Sequence, residues 1–152
     1  MKILERMPLL NTYNYNLDTK NRIFIPAKHR EVLGTDFVVF PNLKDTRSLV
    51  ISSVEYYNGV IEKIRNNDEL SSEDRTEILD YIGGFGDTVS PDAQGRVVLA
   101  TKLVSWAELG GSTIIRGCTD HIEVWNASVF AETTKDKAKS FADKIKKSNM
   151  VL

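Results

Sequence analysis

The segment Asp18-Thr19-Lys20-Asn21-Arg22-Ile23-Phe24-Ile25-Pro26 returns 74 residues later as Asp92-Ala93-Gln94-Gly95-Arg96-Val97-Val98-Leu99-Ala100. The same spacing pairs Lys28 with Lys102, Val50 with Val124, Ile51 with Trp125, Ser52 with Asn126 and Tyr56 with Phe130. A unit of roughly 45 residues lies near the lower limit for independent folding, so two such copies must bury a core against each other. The expectation is an α+β fold: two pseudo-symmetric β-α-β-β half-domains paired into one small β-barrel or sandwich, flanked by helices.

Short β-branched and aromatic runs predict strands at 13–17, 22–26, 37–40 and 48–51 in the first copy, and at 88–90, 96–99, 112–116 and 122–125 in the second. A short helix is expected over 27–33 before Gly34, and a helical turn over 102–107. Ser52-Ser53-Val54-Glu55 has the spacing of a capping box for a helix running to about residue 66. A second helix over 72–82, with Ile78, Leu79 and Ile82 as its apolar stripe, is expected to stop at Gly83-Gly84. Asn126 should cap one long C-terminal helix whose Phe130, Phe141 and Ile145 lie among six lysines. The boundaries are then 12–58 for the first repeat, 59–86 for a helical connector, 87–130 for the second repeat and 131–152 for the C-terminal helix.

A chain of 152 residues with 41% hydrophobic content can bury a core, and its apolar runs, such as Phe37-Val38-Val39-Phe40, have strand length rather than the roughly 20 residues of a membrane span. Charges interrupt the first six residues and no small-residue cleavage site follows, which points to a cytoplasmic address. Cys118 is the single cysteine, and with only His29 and His121 beside it the chain lacks the ligands of a typical structural zinc site. Cys118 fits a small buried hydrophobe, His29 a solvated helical face, and His121 a turn without a role. No metal, cofactor or small-molecule substrate is expected.

The net charge of −1 conceals segregation. Residues 1–34 and 132–148 each carry six Lys and Arg against three Asp and Glu, whereas 66–87 carry seven acidic residues and one Arg. Such asymmetry fits a surface for nucleic acid as well as ordinary solvated faces.

Each copy of the repeat reads Asp-x-x-x-Arg before a strand. An Asp at a loop start accepts hydrogen bonds from backbone amides two or more residues on, which holds the turn. The Arg then stands at the strand entrance, either as a partner of the Asp alone or free to contact a ligand. Arg suits bidentate contact with guanine O6 and N7, Lys a point contact with phosphate, and Gln a bidentate contact with adenine. Lys20, Asn21 and Arg22 offer such groups in the first loop, with Lys28 just beyond it. Gln94, Gly95 and Arg96 offer them in the second, where Gly95 lets the backbone approach a phosphate.

Two tandem Asp-x-x-x-Arg motifs, Pro26 closing the first, and Ile122-Glu123-Val124-Trp125 before a capped helix resemble the MraZ family over about 13–130. The resemblance implies two swapped-hairpin half-domains of the SpoVT/AbrB type, assembly into a ring-shaped homo-oligomer, and binding of double-stranded DNA. It further implies a nucleoid-associated transcriptional regulator that recognises short tandem repeats upstream of the cell-division and cell-wall gene cluster, its own gene included. Carried onto this chain, Asp18 and Asp92 hold the motifs, and the DNA-facing loops are 19–22 and 93–96. Asn21 stands where the family has a glycine, and Ala100 where it has a proline.

Two other classes compete with this one. An enzyme lacks support, because no nucleophile–histidine elbow or phosphate-binding loop is present, and Gly83-Gly84-Phe85-Gly86 follows a helix instead of opening one. An AbrB-like protein-interaction module, antitoxin-like or a ring scaffold, would share the half-domains without a specific DNA target.

Overall fold

The computed structural model describes residues 7–44 and 46–150, so the N-terminal charge pattern read from residues 1–6 lies outside the described residues. The first copy supplies β1 (Thr12–Asn16), β2 (Arg22–Phe24), α1 (Ala27–Leu33), β3 (Phe37–Pro41), β4 (Leu49–Ser52) and α2 (Val54–Arg65), and α3 (Ser72–Phe85) follows. The second supplies β5 (Asp87–Val89), β6 (Arg96–Val98), α4 (Thr101–Trp106), β7 (Ser112–Gly117), β8 (Ile122–Asn126) and α5 (Ala127–Thr133), before α6 (Lys137–Lys147).

Six strands form one antiparallel sheet in the order β1-β7-β8-β4-β3-β5, and β2 pairs with β6 as a separate ribbon. The first strand of each copy joins the other copy, β1 against β7 and β5 against β3, while β4 and β8 meet at the centre. Of the expected barrel or sandwich, a closed barrel does not form among the described residues. Strands β1 and β5 stay at opposite edges of the sheet, and β2 and β6 pair with each other instead of closing the gap.

The alternation of side chains explains the layers. Phe37, Val39, Leu49, Ile51, Ile115, Ile122 and Val124 meet Ile23, Ile25, Val97 and Leu99 of the ribbon and Leu33 and Leu103 of the short helices in one core. On the opposite face of β3 and β4, Val38, Phe40 and Val50 pack against Ile61, Ile64 and Ile82 of α2 and α3. Burial of both faces accounts for the uninterrupted apolar run of β3.

The offset of 74 holds for the ribbon but not for the hairpins. Val39 pairs with Ile51, and Ile115 pairs with Val124, all four in the central core. Structural equivalents are therefore 76 positions apart in β3 and β7, and 73 apart in β4 and β8. The pairing of Val50 with Val124 consequently fails: Val50 faces the helical hairpin and Val124 the central core. The same slip moves the helix cap. Ser53, not Ser52, accepts from the Tyr56 amide at 3.1 Å, and it stands 73 positions before Asn126, which caps α5 through the Ser128 and Val129 amides.

Three further expectations change. Helix α3 runs through Gly83 and Gly84 to Phe85, because burial of Ile82 and packing of Phe85 offset the cost of about 1 kcal/mol per helical glycine. It ends at Gly86, where a Cβ would lie 2.9 Å from the Ile82 carbonyl oxygen and 3.5 Å from that of Val39. The C-terminal helix breaks into α5 and α6, with Thr134 Oγ1 donating to the Phe130 carbonyl at 2.6 Å and Asp136 in the left-handed region at φ 61°. His29 is buried, its Nε2 bonded to the Leu10 carbonyl at 2.9 Å and its ring edge-on to Tyr13. Among the described residues, no helix is long and apolar enough to cross a membrane.

Candidate nucleic-acid interface

The two Asp-x-x-x-Arg loops have one construction. Asp18 Oδ1 accepts from the Lys20 amide at 2.9 Å and the Arg22 amide at 2.8 Å, while Oδ2 accepts from Arg22 Nε at 2.6 Å. Asp92 Oδ1 accepts from the Gln94 and Arg96 amides, both at 2.9 Å, and Oδ2 from Arg96 Nε at 3.0 Å. Asn21 and Gly95 occupy the equivalent left-handed position at φ 59° and 83°. Asn is among the few residues that take this conformation readily, which is how it replaces glycine there.

These bonds set the carboxyls. The Arg22 amide lowers the Asp18 pKa most; against it stands partial desolvation, and the Arg22 side chain and the Lys20 amide add to the lowering. Asp92 is lowered in the same way, first by the Arg96 amide.

Each loop is also tied to the other copy. The Ile25 amide donates to the Gly95 carbonyl at 2.9 Å and the Leu99 amide to the Asn21 carbonyl at 2.8 Å, which extends the ribbon beyond Arg22↔Val98, Ile23↔Val97 and Phe24↔Arg96. Ile23 and Val97 point inward and are fully buried. The period-2 alternation then places Arg22, Phe24, Arg96 and Val98 on the outer face. Arg22 and Arg96 are diagonal neighbours there, within reach of one another's long side chains.

The side chains of Arg22 and Arg96 are 28% and 30% exposed, so each is largely covered, with its Nε committed to the Asp. For an external acceptor this leaves both terminal nitrogens of Arg22 but only Nη1 of Arg96, whose Nη2 meets Gln94. Gln94 turns its Oε1 to Arg96 Nη2. A bidentate contact with adenine would need that oxygen, so in this arrangement Gln94 positions Arg96. Lys20 and Lys28 are exposed, whereas Lys102, the counterpart of Lys28, donates Nζ to the Gly84 carbonyl at 2.8 Å.

Arg30 belongs to this surface too, although in the sequence it looks like part of a solvated helical face. Its Nε donates to the Ile25 carbonyl at 2.8 Å, its guanidinium lies 5.7 Å from the Phe24 ring centre, and a Cβ on Gly95 would sit 2.8 Å from its Cζ. The residue 74 positions on is Val104, so the second loop has a cation against it that the first lacks. Its position four residues after Pro26, one helical turn into α1, is the one sequence signal that points to it.

Elsewhere charge remains segregated. The α6 lysines are exposed and α6 buries no residue, while Glu73, Asp74, Glu77 and Asp80 of α3 are exposed.

A second polar cluster lies on the β7–β8 hairpin, around Glu123. This buried carboxylate accepts from Arg116 Nη2 at 2.6 Å, Trp125 Nε1 at 2.9 Å and Asn42 Nδ2 at 2.9 Å. Burial alone would raise its pKa, but the nearby His121 ring and hydrogen bonds from Trp125 and Arg116 hold it well below the usual carboxylate range. Burial would likewise lower His121, yet Cys118, Glu123 and Asp120 beside it push it up to about 10. His121 is thus neither exposed nor idle.

Fold and site together define a class: two copies of one strand–helix–hairpin unit, interlocked through a central ribbon that presents a matched pair of Asp–Arg loops. The family described as "MraZ protein, putative antitoxin-like" matches residues 9–77 and 86–150, two stretches that divide within α3. Transcriptional regulator MraZ of Arthrobacter sp. (strain FB24) is 31% identical over 134 residues, covering 88% of this chain and 92% of that protein. Transcriptional regulator MraZ of Clostridium acetobutylicum is 31% identical over 123 residues, covering 81% and 84%. This chain belongs to the MraZ family.

Proposed function

We propose that this chain is a sequence-specific, DNA-binding transcriptional regulator that meets double-stranded DNA with the outer face of the β2–β6 ribbon. The single observation that carries the proposal is the pairing of the two Asp-x-x-x-Arg loops across that ribbon, with both arginines partly exposed on its outer face. A two-stranded ribbon fits the width of the major groove, and the terminal nitrogens of Arg22 and Arg96 suit guanine edges or phosphate. Lys20, Asn21, Lys28 and Arg30 contact the backbone around them, and Asp18, Asp92, Gln94 and Gly95 shape the loops. The MraZ relatives, named as transcriptional regulators, support the regulatory role.

One chain offers few contacts, each good bidentate pair being worth about 1–3 kcal/mol of discrimination. A ring-shaped homo-oligomer that sets the same loops on successive tandem repeats makes later contacts intramolecular and raises avidity about 100-fold or more. The target in this proposal is a set of short repeats upstream of the cell-division and cell-wall gene cluster, including the chain's own gene, and the site of action is the cytoplasmic nucleoid. The repeats at 12–58 and 87–130 are the working units, and the protein acts by binding, not catalysis.

Fluorescence anisotropy of the purified protein with duplex DNA from upstream of its gene, and with a scrambled duplex, at two salt concentrations, tests this. Preference for the upstream duplex, with affinity falling as salt rises, is the expected result. Equal weak binding to both would contradict specific recognition and favour a protein-interaction module.

A further inference from the structure

The β7–β8 hairpin brings Cys118 Sγ, a His121 ring nitrogen and a Glu123 carboxylate oxygen within 4.8 Å of one another. Backbone bonds hold the turn between them: the Cys118 amide donates to the His121 carbonyl at 2.9 Å, and the Asp120 amide to the Cys118 carbonyl at 2.9 Å. His121 and Glu123, two apart on an extended chain, project to the same side.

Each group has one direction open toward the others. Glu123 Oε1 is taken by Arg116 and Trp125, but Oε2 has a single short bond, to Asn42, and faces His121 Nε2 at 3.8 Å. His121 Nδ1 is engaged by Asp120 Oδ1 at 2.7 Å, and the ring is stacked on Tyr56 with centres 5.0 Å apart. A histidine that gives one ring N–H to a carboxylate and turns its other nitrogen inward has the usual arrangement of a metal ligand, with tautomer and ring orientation fixed from outside. Cys118 is half-buried, and its thiol makes a weak contact with the Arg116 carbonyl at 3.7 Å.

We propose that Cys118 Sγ, His121 Nε2 and Glu123 Oε2 bind one divalent cation of the zinc class, with water as a fourth ligand and Asp120 as the group that orients His121. Sulfur, nitrogen and oxygen ligands in this combination suit Zn²⁺ better than Mg²⁺ or Ca²⁺, which take oxygen alone. Bond lengths of about 2.0–2.3 Å require tetrahedral ligand separations of about 3.3–3.8 Å, so the cluster needs to contract by no more than about 1.5 Å. Thiolate and carboxylate balance the charge of the ion, and Arg116 stays on the far carboxylate oxygen. Loading displaces the thiol proton and the proton on His121 Nε2, so binding releases protons.

Cobalt(II) titration of the full chain, stripped with a chelator, tests the site by absorption. The expected result is a near-ultraviolet thiolate-to-cobalt charge-transfer band that saturates at one ion per chain and is lost on adding Zn²⁺. Cys118→Ser should keep its far-ultraviolet circular dichroism and lose the band. His121→Gln should lose it too, whereas Asp120→Asn should keep it with affinity about 10-fold weaker. Absence of the band from the wild-type chain, or binding that Cys118→Ser and His121→Gln leave unchanged, would overturn the assignment. The readout involves no DNA, so its failure is distinct from failure of the regulatory role.

Discussion

Ile23 and Val97 lie directly opposite each other in the β2–β6 ribbon, both fully buried, at the one point where residues 74 apart in sequence pair with each other. A pseudo-twofold axis passes between them. The loops that precede them are therefore related by the same axis, and Arg22 and Arg96 reach the outer face as a matched pair. Around that axis the symmetry is broken beyond the loops as well: Arg30 has Val104 as its counterpart, and Lys102, the counterpart of Lys28, is bonded to the Gly84 carbonyl.

Arg30 should matter for DNA through charge. Arg30→Ala is expected to weaken binding to specific and scrambled duplexes alike and to reduce the salt dependence by about one phosphate contact, measured as the slope of log affinity against log salt. An unchanged slope would place Arg30 outside the interface.

Gly95 and Asn21 share a backbone conformation but not a tolerance. Gly95→Ala puts a Cβ at φ 83° and 2.8 Å from the Arg30 Cζ, so it should cost about 1–2 kcal/mol, seen in chemical denaturation, and displace Arg30. Asn21→Gly keeps the same conformation without a Cβ and should leave stability nearly unchanged.

How much of the fold is legible in the sequence follows from the kind of signal involved. Apolar runs and the breaker Gly34 place α1 over its observed span, and the 74-residue repeat by itself identifies both loops. The hairpin register is not legible, because a constant offset ignores the different loop lengths between β3 and β4 and between β7 and β8. The capping-box spacing of Ser52 to Glu55 likewise assigns the cap to Ser52, whereas Ser53 makes it. Local rules also stop α3 at Gly83, where tertiary packing carries it on. His29 looks solvated among charged neighbours, although its own position on α1 faces Leu10. Counting only cysteines and histidines omits Glu123, whose burial depends on Arg116 and Asn42, the latter 81 positions away.

The glycines in α3 offer a direct check on that packing. A Cβ at Gly83 or Gly84 meets nothing within 4 Å, so alanine at either position should stabilise the chain by about 0.5–1 kcal/mol. Destabilisation by urea titration would show that the helix does not continue there in solution.

Acid should spare the loops longer than ordinary carboxylates. Asp18 and Asp92 have lowered pKa values, so their contribution is present above the unfolded value near 3.8 and fades as pH falls through the lower folded values. Amide exchange at Lys20, Arg22, Gln94 and Arg96, followed by NMR from neutral pH downward, should therefore stay protected at about pH 4. Loss of protection at or above that pH would contradict the loop bonding.

The central claim is that Arg22 and Arg96 read DNA from one face of the ribbon. Anisotropy with the upstream duplex, using Arg22→Ala and Arg96→Ala alongside sedimentation velocity on the same samples, tests it most directly. Loss of about 1–3 kcal/mol of specific affinity in each variant, roughly 5- to 150-fold, with the sedimentation coefficient of the wild type retained, is the predicted result. Full affinity in both variants, or a changed sedimentation coefficient in either, would show that the arginines serve the fold alone.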